Sequence, residues 1–225
     1  MATFQEHVYN ITHSAYSCDI NLGIKEVISN VLKFNPSAGL LFSKESEEQD
    51  SNGYKVNSGL IYSVVREDGT DNQWREARQV DISKQYLVTD PNSFFFASKY
   101  NPVFIRDNNL INVYPLPNSS NETYKVTHID YPKYDNDGNL LNGNTDIDNI
   151  GIENFPSAFH PHIILYGAIK SLVEKQNELL LKDEDSELSG SLAAHIKKLQ
   201  DDYVNMFLSK DVLTGGSQQQ EEGSS

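Results

Sequence analysis

The chain has 225 residues, of which 38% are hydrophobic, with a mean hydropathy of -0.52 and a formal net charge of -14. This composition predicts a soluble protein with a real but modest core, as one domain or as a core with an insertion. No apolar run approaches the roughly 20 residues that a membrane-crossing helix needs. The acidity argues against a protein that grips nucleic acid, because phosphate contacts require a basic surface.

The sequence of the N-terminal region predicts helices. Apolar residues from Ile20 to Leu32 recur at helical spacing. Asp19 is positioned as the N-cap of that helix, and Asn35-Pro36 is expected to end it. A shorter helix is predicted at residues 4–15. Cys18 is the only cysteine, so it cannot form an internal disulfide, and we expect an inert thiol because no basic group lies near it in sequence.

The middle of the chain predicts a small β-unit. The polar segment 43–58 is expected to be an exposed loop, and Leu60–Val65 a strand followed by a turn. Residues 80–88 mix the helical and strand periods and allow either structure. Phe94–Phe96 is predicted to be a strand.

A hairpin is predicted next, with Val103–Ile105 joined to Leu110–Tyr114 by the turn Asp107–Asn109. Tyr124–Tyr131 is expected to complete one small antiparallel sheet with these two strands. Prolines follow the second and third strands, and such positions are typical of strand ends or sheet edges. These prolines are Pro115, Pro117 and Pro132.

The C-terminal part predicts two long helices. A turn-rich loop spans residues 135–151, and an apolar stripe then indicates a helix from about Pro161 to Leu181. Apolar residues from Leu188 to Phe207 recur three or four residues apart, which is the clearest amphipathic pattern in the chain. The short charged break Lys182–Ser186 between the helices predicts an antiparallel hairpin.

The expected fold class is therefore α+β, a helical bundle with a long C-terminal helical hairpin and a small antiparallel β-domain inserted. The predicted bundle comprises residues 1–42 and 155–212. The predicted β-rich insertion spans residues 56–150, and the Gly/Ser/Gln-rich tail 213–225 is expected to be disordered.

Two motifs suggest metal ligands, and neither is convincing. Asp135–Gly138 resembles part of a calcium loop, but Lys133 falls at the first ligand position and Asn144 at the last, so an Asp-Gly turn is favoured. His160-Pro-His162 has no cysteine nearby and is better explained as the start of a helix. No cofactor, metal or catalytic motif is predicted.

Two parts of the chain, a β-segment and a helical segment, carry a family resemblance. Asn101–Pro117 and Tyr124–Pro132 resemble the central β-segment of head-to-tail adaptor proteins of short-tailed bacteriophages. Phe155-Pro156 and Ile163–Leu172 resemble the start of that family's long C-terminal helix. The resemblance covers about residues 75–210 and is similar in particular to the ring or adaptor proteins of crAss-like phages.

The resemblance implies a non-enzymatic structural protein of the virion neck, between capsid and tail, assembled in the host cytoplasm. It implies a ring homo-oligomer, a dodecamer, that contacts the portal protein and tail or second ring proteins, and through which DNA passes without specific binding. We expect the C-terminal helices to contact the ring neighbours and the portal, and the β-unit to contact tail proteins. The candidate interface residues are Phe155, Phe159, Leu165, Leu172, Tyr203, Phe207, Tyr114 and Tyr131.

Two alternatives remain open. A β-rich ligand- or glycan-binding module of a phage tail would need a concave aromatic site within the sheet. An acidic enzyme such as a glycoside hydrolase would need two carboxylates roughly 5–9.5 Å apart in a cleft.

Overall fold

The structure is a computed structural model, and it describes residues 2–14, 18–56, 60–70, 73–118, 122–181 and 186–208. The fold is mixed α+β, as predicted. The chain divides into two compact units, a helical unit of Met1–Leu41 with Pro132–Ser225 and a β-unit of Phe42–Tyr131. The predicted tail 213–225 lies outside the described residues.

The β-unit begins earlier and ends earlier than the predicted insertion. Residues 132–150 belong to the helical unit, where this loop is bonded to the first helix and where Ile147 is fully buried. Backbone hydrogen bonds join the two segments, from the Phe4 N–H to the Thr145 carbonyl and from the Gln5 N–H to the Gly143 carbonyl, both at 2.9 Å.

Both N-terminal helices start at a side-chain cap. Helix α1 is Phe4–Thr12, and its N-cap Thr3 forms a capping box with Glu6. Helix α2 is Ile20–Phe34, and the Asp19 carboxylate accepts from the Asn21 N–H at 2.9 Å. The predictions of α2 and of its cap are confirmed, and its buried face consists of Ile20, Gly23, Ile24, Val27, Ile28 and Val31.

The two C-terminal helices pack on each other. Helix α4 is His160–Leu181 and helix α5 is Ser186–Leu208. The rings of His162 and Phe207 join the start of α4 to the end of α5, with 4.8 Å between their centroids. At the other end, the Gln176 Nε2 donates to the Ser189 carbonyl at 3.4 Å. Helix α4 also contacts α1 and α2.

The predicted apolar stripe of α5 is only partly buried. Ile196, Leu199, Tyr203 and Phe207 are buried, whereas the Leu188 side chain is 46% exposed. The stripe therefore faces the core over its C-terminal two thirds, where α5 packs on α4, and faces outward near Leu188.

The β-unit holds two sheets, each of four strands among the described residues. The strands are β1 Ser43–Glu45, β2 Tyr54–Lys55, β3 Ile61–Glu67, β4 Trp74–Glu76, β5 Arg78–Gln79, β6 Val103–Asp107, β7 Leu110–Tyr114 and β8 Tyr124–Ile129. One sheet has the order β1-β8-β3-β4 and the other β2-β7-β6-β5, with antiparallel pairing except for the parallel pair β5–β6. Buried residues from both sheets share one apolar core.

The hairpin prediction is confirmed, but the predicted single sheet is wrong. β6 and β7 pair in the register Val103↔Tyr114 to Asp107↔Leu110, with Asn108 at φ 53 in the turn. β8 pairs with β1 and β3 instead of β7. The prediction assumed that strands that are consecutive in the sequence pair with each other, as they usually do, but β7 and β8 belong to different sheets.

Two further expectations of the β-unit are wrong. The polar segment 43–58 contributes β1 and β2, and Val56 is fully buried. Phe94–Phe96 lies in a turn, not in a strand. Pro115 and Pro132 do follow strand ends, but β7 and β8 are interior strands of their sheets, not edges.

The ambiguous segment 80–88 forms a 3-10 turn, Ile82–Lys84, that continues into the short helix α3, Gln85–Val88. Asp81 caps this turn, because its carboxylate accepts from the Ser83 N–H at 2.8 Å. The turn and α3 lie beside the strands of the second sheet and form one wall of the surface described next.

Candidate interaction surface

An apolar groove lies on the β-unit, between α3 and the end of β7. It consists of two adjoining depressions, of about 490 Å³ and about 340 Å³, that share Thr89 and Tyr114. Its lining residues are Ile82, Gln85, Tyr86, Val88, Thr89, Phe96, Ala97, Tyr114, Pro115 and Leu116.

The groove rests on packed structure. Val88 and Ala97 belong to a small core cluster with Val103, and the Ala97 N–H donates to the Val88 carbonyl at 2.9 Å. Across the groove, the Gln85 Nε2 donates to the Tyr114 hydroxyl at 3.0 Å. These contacts hold α3 against β7, so the groove is preformed in the single chain.

Large apolar side chains of this surface face solvent. Tyr86 is 73% exposed, and Ile82, Phe96 and Leu116 are also exposed. A contiguous exposed apolar patch of this kind is typical of a binding site, because soluble monomers rarely leave one uncovered.

Two cations and two aromatic rings adjoin the groove and define an aromatic–cation surface, comprising Arg78, Lys84, Phe94 and Phe95, of which Phe95 packs on the same core cluster as Val88 and Ala97. The Lys84 Nζ lies 4.6 Å and the Arg78 Cζ 5.9 Å from the centroid of the Phe95 ring. Phe94 is 90% exposed beside them.

Tyr100 is the ring of a second group of cation–aromatic contacts in the β-unit. Its ring centroid lies 5.0 Å from the Lys99 Nζ and 6.0 Å from the Arg75 Cζ. The Arg75 Nε also pairs with the Asp68 carboxylate at 3.1 Å. Burial alone would raise the pKa of Asp68, but hydrogen bonds from Arg75 and Thr70 outweigh it and lower that pKa. Aromatic residues and arginine together are the residue types enriched at protein interfaces.

Most of the interface residues predicted from sequence lie in the core. Phe155, Phe159, Leu172, Tyr203 and Phe207 are buried within the helical unit and cannot offer a surface to a neighbour without repacking. Leu165 and Tyr131 are half-buried, and Tyr114 lines the groove.

The sequence reasoning missed Tyr86 and Phe94, although each had left a signal. Tyr86 lies in the segment whose apolar residues mix the helical and strand periods, and Phe94 begins the aromatic run for which the sequence predicts a strand. A segment rich in large apolar residues but lacking a clean period is one place to expect an exposed apolar surface.

A second exposed apolar feature belongs to the helical unit. Leu180 and Leu181 at the end of α4, and Leu188 near the start of α5, are exposed, with Leu181 at 87%. We call these three residues the leucine end. The neighbouring Glu187 is also exposed.

A polar cavity of about 850 Å³ in the helical unit is lined by Cys18, Asp19, Lys170 and Glu174 among others. Burial, with the carboxylates of Asp19 and Glu174, raises the pKa of the Cys18 thiol to about 11. The thiol is therefore protonated at neutral pH and is a poor nucleophile. Asp19 already accepts hydrogen bonds as the cap of α2.

The two suspected metal motifs have structural partners. The Asp135 Oδ1 accepts from the N–H groups of Asp137 and Asn139 at 3.0 and 2.8 Å, as in an Asp-Gly turn. His160 and His162 begin α4 and are buried against aromatic rings. Across the described ranges, no group of three or more His, Cys, Asp or Glu side chains could hold a metal ion.

Within the part of the chain that the structure describes, no helix combines the length and the apolar character that a membrane span requires. No protein-family model matches this sequence, and no curated protein matches it.

Proposed function

We propose that this protein is a ring-forming head-to-tail adaptor, a structural virion protein that links the portal to the tail and forms part of the DNA channel. The observation that carries the proposal is the preformed, exposed apolar groove beside an aromatic–cation surface. That combination suits contact with another protein, because aromatic and arginine side chains dominate the energetics of interfaces.

The position of the groove supports the proposal. The stretch that resembles the phage adaptor family contains β6 and β7 and ends at Pro117, next to groove residues Tyr114 and Leu116. The second resembling stretch lies in α4. In the proposed ring protein, α1, α2, α4 and α5 form a helical bundle with a C-terminal hairpin, and the β-unit is a separate compact unit.

A closed ring requires that each copy present two different patches, one for each neighbour. The groove and the leucine end are two such patches of unlike chemistry. The proposed oligomer is a dodecamer located in the neck between capsid and tail, where it also contacts the portal and tail or second ring proteins.

In the proposed ring, exposed acids of α4 and α5 line the channel. Glu174, Asp201 and Asp202 are exposed carboxylates of these helices. These carboxylates and the DNA phosphates would repel each other over about 8–10 Å at physiological salt, so the passing duplex would not adhere to the channel wall. Reversal of these acids to lysine is expected to slow DNA ejection in a salt-sensitive way without unfolding the protein.

The test of the proposal is assembly and location. Native mass spectrometry of the purified protein should show a ring oligomer, and antibody labelling should place the protein at the neck of purified virions. Tyr86→Ser in the groove should reduce assembly. Tyr9→Ser, at an exposed tyrosine of α1, is the matched control and should assemble normally. A protein that stays monomeric at every concentration and is absent from virions would exclude the adaptor function.

A second candidate, a glycan-binding module of a phage tail, is favoured by Tyr86 and Tyr114, which line the same depression. Aromatic side chains in a concave site suit sugar rings as well as protein surfaces. A glycan array would distinguish the two functions, since a glycan-binding module would retain a carbohydrate that Tyr86→Ser releases.

A further inference from the structure

The charge of the chain is divided unevenly between the two units. Residues 42–131 carry nine Lys and Arg against thirteen Asp and Glu, a net charge of -4. The remainder of the chain carries the other -10 of the total -14. When the helical unit of one copy contacts the β-unit of another copy, the helical unit is therefore the more acidic of the two.

Cations outnumber carboxylates in the segment that holds most of the groove's lining residues. Residues 73–101 contain four cations and three carboxylates, a net positive balance in an acidic chain. Two of these carboxylates are engaged locally, since Asp81 accepts from the Ser83 N–H at 2.8 Å and Asp90 from the Asn92 N–H at 2.9 Å. Lys84 is exposed and lies between the groove residues Ile82 and Tyr86 in sequence.

The leucine end carries the complementary chemistry. It exposes three leucines next to the exposed carboxylate of Glu187. In sequence, residues 178–187 hold five carboxylates and one lysine. Three leucines and the Glu187 carboxylate thus face solvent on the helical unit, and an apolar depression beside the Lys84 ammonium faces solvent on the β-unit.

We propose that the leucine end of one copy docks into the apolar groove of a second copy of this chain, with Glu187 directed toward Lys84. This inference rests on the proposed ring, because it names the contact that joins adjacent copies. The patches differ, so the contact is heterologous and each copy uses both patches, as ring closure requires.

Leucine and tyrosine burial supplies the affinity of this contact, and the charges set its orientation. Exposed ion pairs add little to affinity, but like charges placed opposite each other disfavour an interface. Leu181 and Tyr86 are therefore the expected anchors, and Glu187 and Lys84 are the expected determinants of which surfaces meet.

The test uses the full chain and measures association by sedimentation velocity. Lys84→Glu and Glu187→Lys are each expected to weaken self-association roughly tenfold, because each places like charges in contact. Leu181→Ser is expected to weaken it by a similar factor. Lys55→Glu on β2 and Asp137→Lys in the loop that follows Pro132 change exposed charges elsewhere and should leave association unchanged.

Mixing gives the sharper result. At a concentration where the wild-type protein only just forms rings, Lys84→Glu and Glu187→Lys should each stay largely unassembled alone, but an equimolar mixture should form rings in which the two variants alternate. In that mixture every contact joins either two wild-type patches or two reversed patches. The double variant that carries both substitutions should also assemble.

Each remaining outcome overturns the inference. If the wild-type protein forms rings that Lys84→Glu and Glu187→Lys leave intact, the groove is not the ring contact, although the adaptor function stands. If both variants fail and the mixture does not recover, the two side chains do not face each other. If the wild-type protein never self-associates, the inference fails, and the proposed function fails with it if the protein is also absent from virions.

Discussion

His162 at the start of α4 and Phe207 at the end of α5 meet edge to face, with 4.8 Å between ring centroids and an interplanar angle of 60°. Phe159 lies on the same imidazole at 5.3 Å. His162 is 1% exposed, so a titratable ring sits inside the apolar contact between the two helices. The same helical contact that buries the apolar stripe of α5 thereby becomes sensitive to acid.

We predict that the free energy of unfolding falls as the pH drops below about 6.5. Burial lowers the pKa of His162 and of His160 from the ordinary value of 6.5. A hydrogen bond with the Met206 backbone raises the pKa of His162 and the charge of Asp148 raises that of His160, but burial outweighs both. As the pH falls, the unfolded chain therefore binds protons at a higher pH than the folded chain does. The stabilising contribution of the two neutral histidines is complete above about pH 6.5, and it is lost as the pH falls toward their lowered pKa values in the folded protein.

Urea denaturation at pH 7.5 and pH 5.0 measures this dependence. His162→Leu should reduce the loss of stability between the two pH values, because it removes one of the two groups that titrate. His195→Gln, on the exposed face of α5, is the matched control and should leave the loss unchanged. An identical pH dependence in the protein and in His162→Leu would contradict the prediction.

Ile196→Asp should destabilise the helical unit by several kcal/mol, because it buries an unpaired carboxylate. Ile196 is buried where α5 packs on α4. Leu188→Asp makes the same kind of change on the same helix at a side chain that is 46% exposed, and it should cost little. Thermal melts of the two variants that shift by equal amounts would show that the buried stripe is misplaced.

Gly167→Ala should destabilise the protein by about 1–3 kcal/mol, as overpacking of a dense core does. A Cβ at Gly167 would lie 2.9 Å from the Phe4 Cζ and 3.0 Å from the Val8 Cγ2, where α1 crosses α4. Gly190→Ala on α5 meets nothing within 4 Å and should stabilise the helix by about 0.5–1 kcal/mol. The opposite signs of the two changes, measured by urea denaturation, are the decisive result.

Arg66→Met should destabilise the β-unit by on the order of 3 kcal/mol, as removal of one partner of a buried pair does. The Arg66 guanidinium is buried, and it donates to the Pro115 carbonyl at 2.9 Å, to the Glu122 carboxylate at 3.1 Å and to the Glu67 carbonyl. Arg66→Lys keeps the charge but loses the forked donor geometry, so its loss of stability should be intermediate. Equal melting temperatures for all three proteins would show that this network contributes nothing.

Hydrogen exchange should reveal order within the polar segment 43–58. The Ser46 N–H donates to the Val126 carbonyl at 2.9 Å and the Val56 N–H to the Asn109 carbonyl at 2.8 Å, so both amides should exchange slowly. The Asn52 amide lies in an exposed turn and donates to the Asp50 carboxylate, so it should exchange quickly. Fast exchange at Ser46 and Val56 would mean that β1 and β2 do not persist in solution.

The amino-acid sequence alone determined the elements that local chemistry controls. The helical period of α2, with its Asp19 cap, reveals that helix without knowledge of its neighbours. The Asn108-Asn109 turn likewise predicts the β6–β7 hairpin, because both strands lie within a few residues of it. For α4 and α5, periodicity located the helices and much of their buried face, but not that Leu180 and Leu188 at their adjoining ends would be exposed.

Tertiary structure decided everything that depends on distant partners. β8 pairs with β3 and β1, some sixty to eighty residues away in the chain, and no local pattern encodes that choice. For the same reason the sequence could not distinguish Phe159, which the helical unit buries, from Phe94, which the β-unit leaves in solvent. The groove at Tyr114 exists only because α3 packs beside β7, so the candidate site is a property of the packed chain, since burial depends on which segments meet.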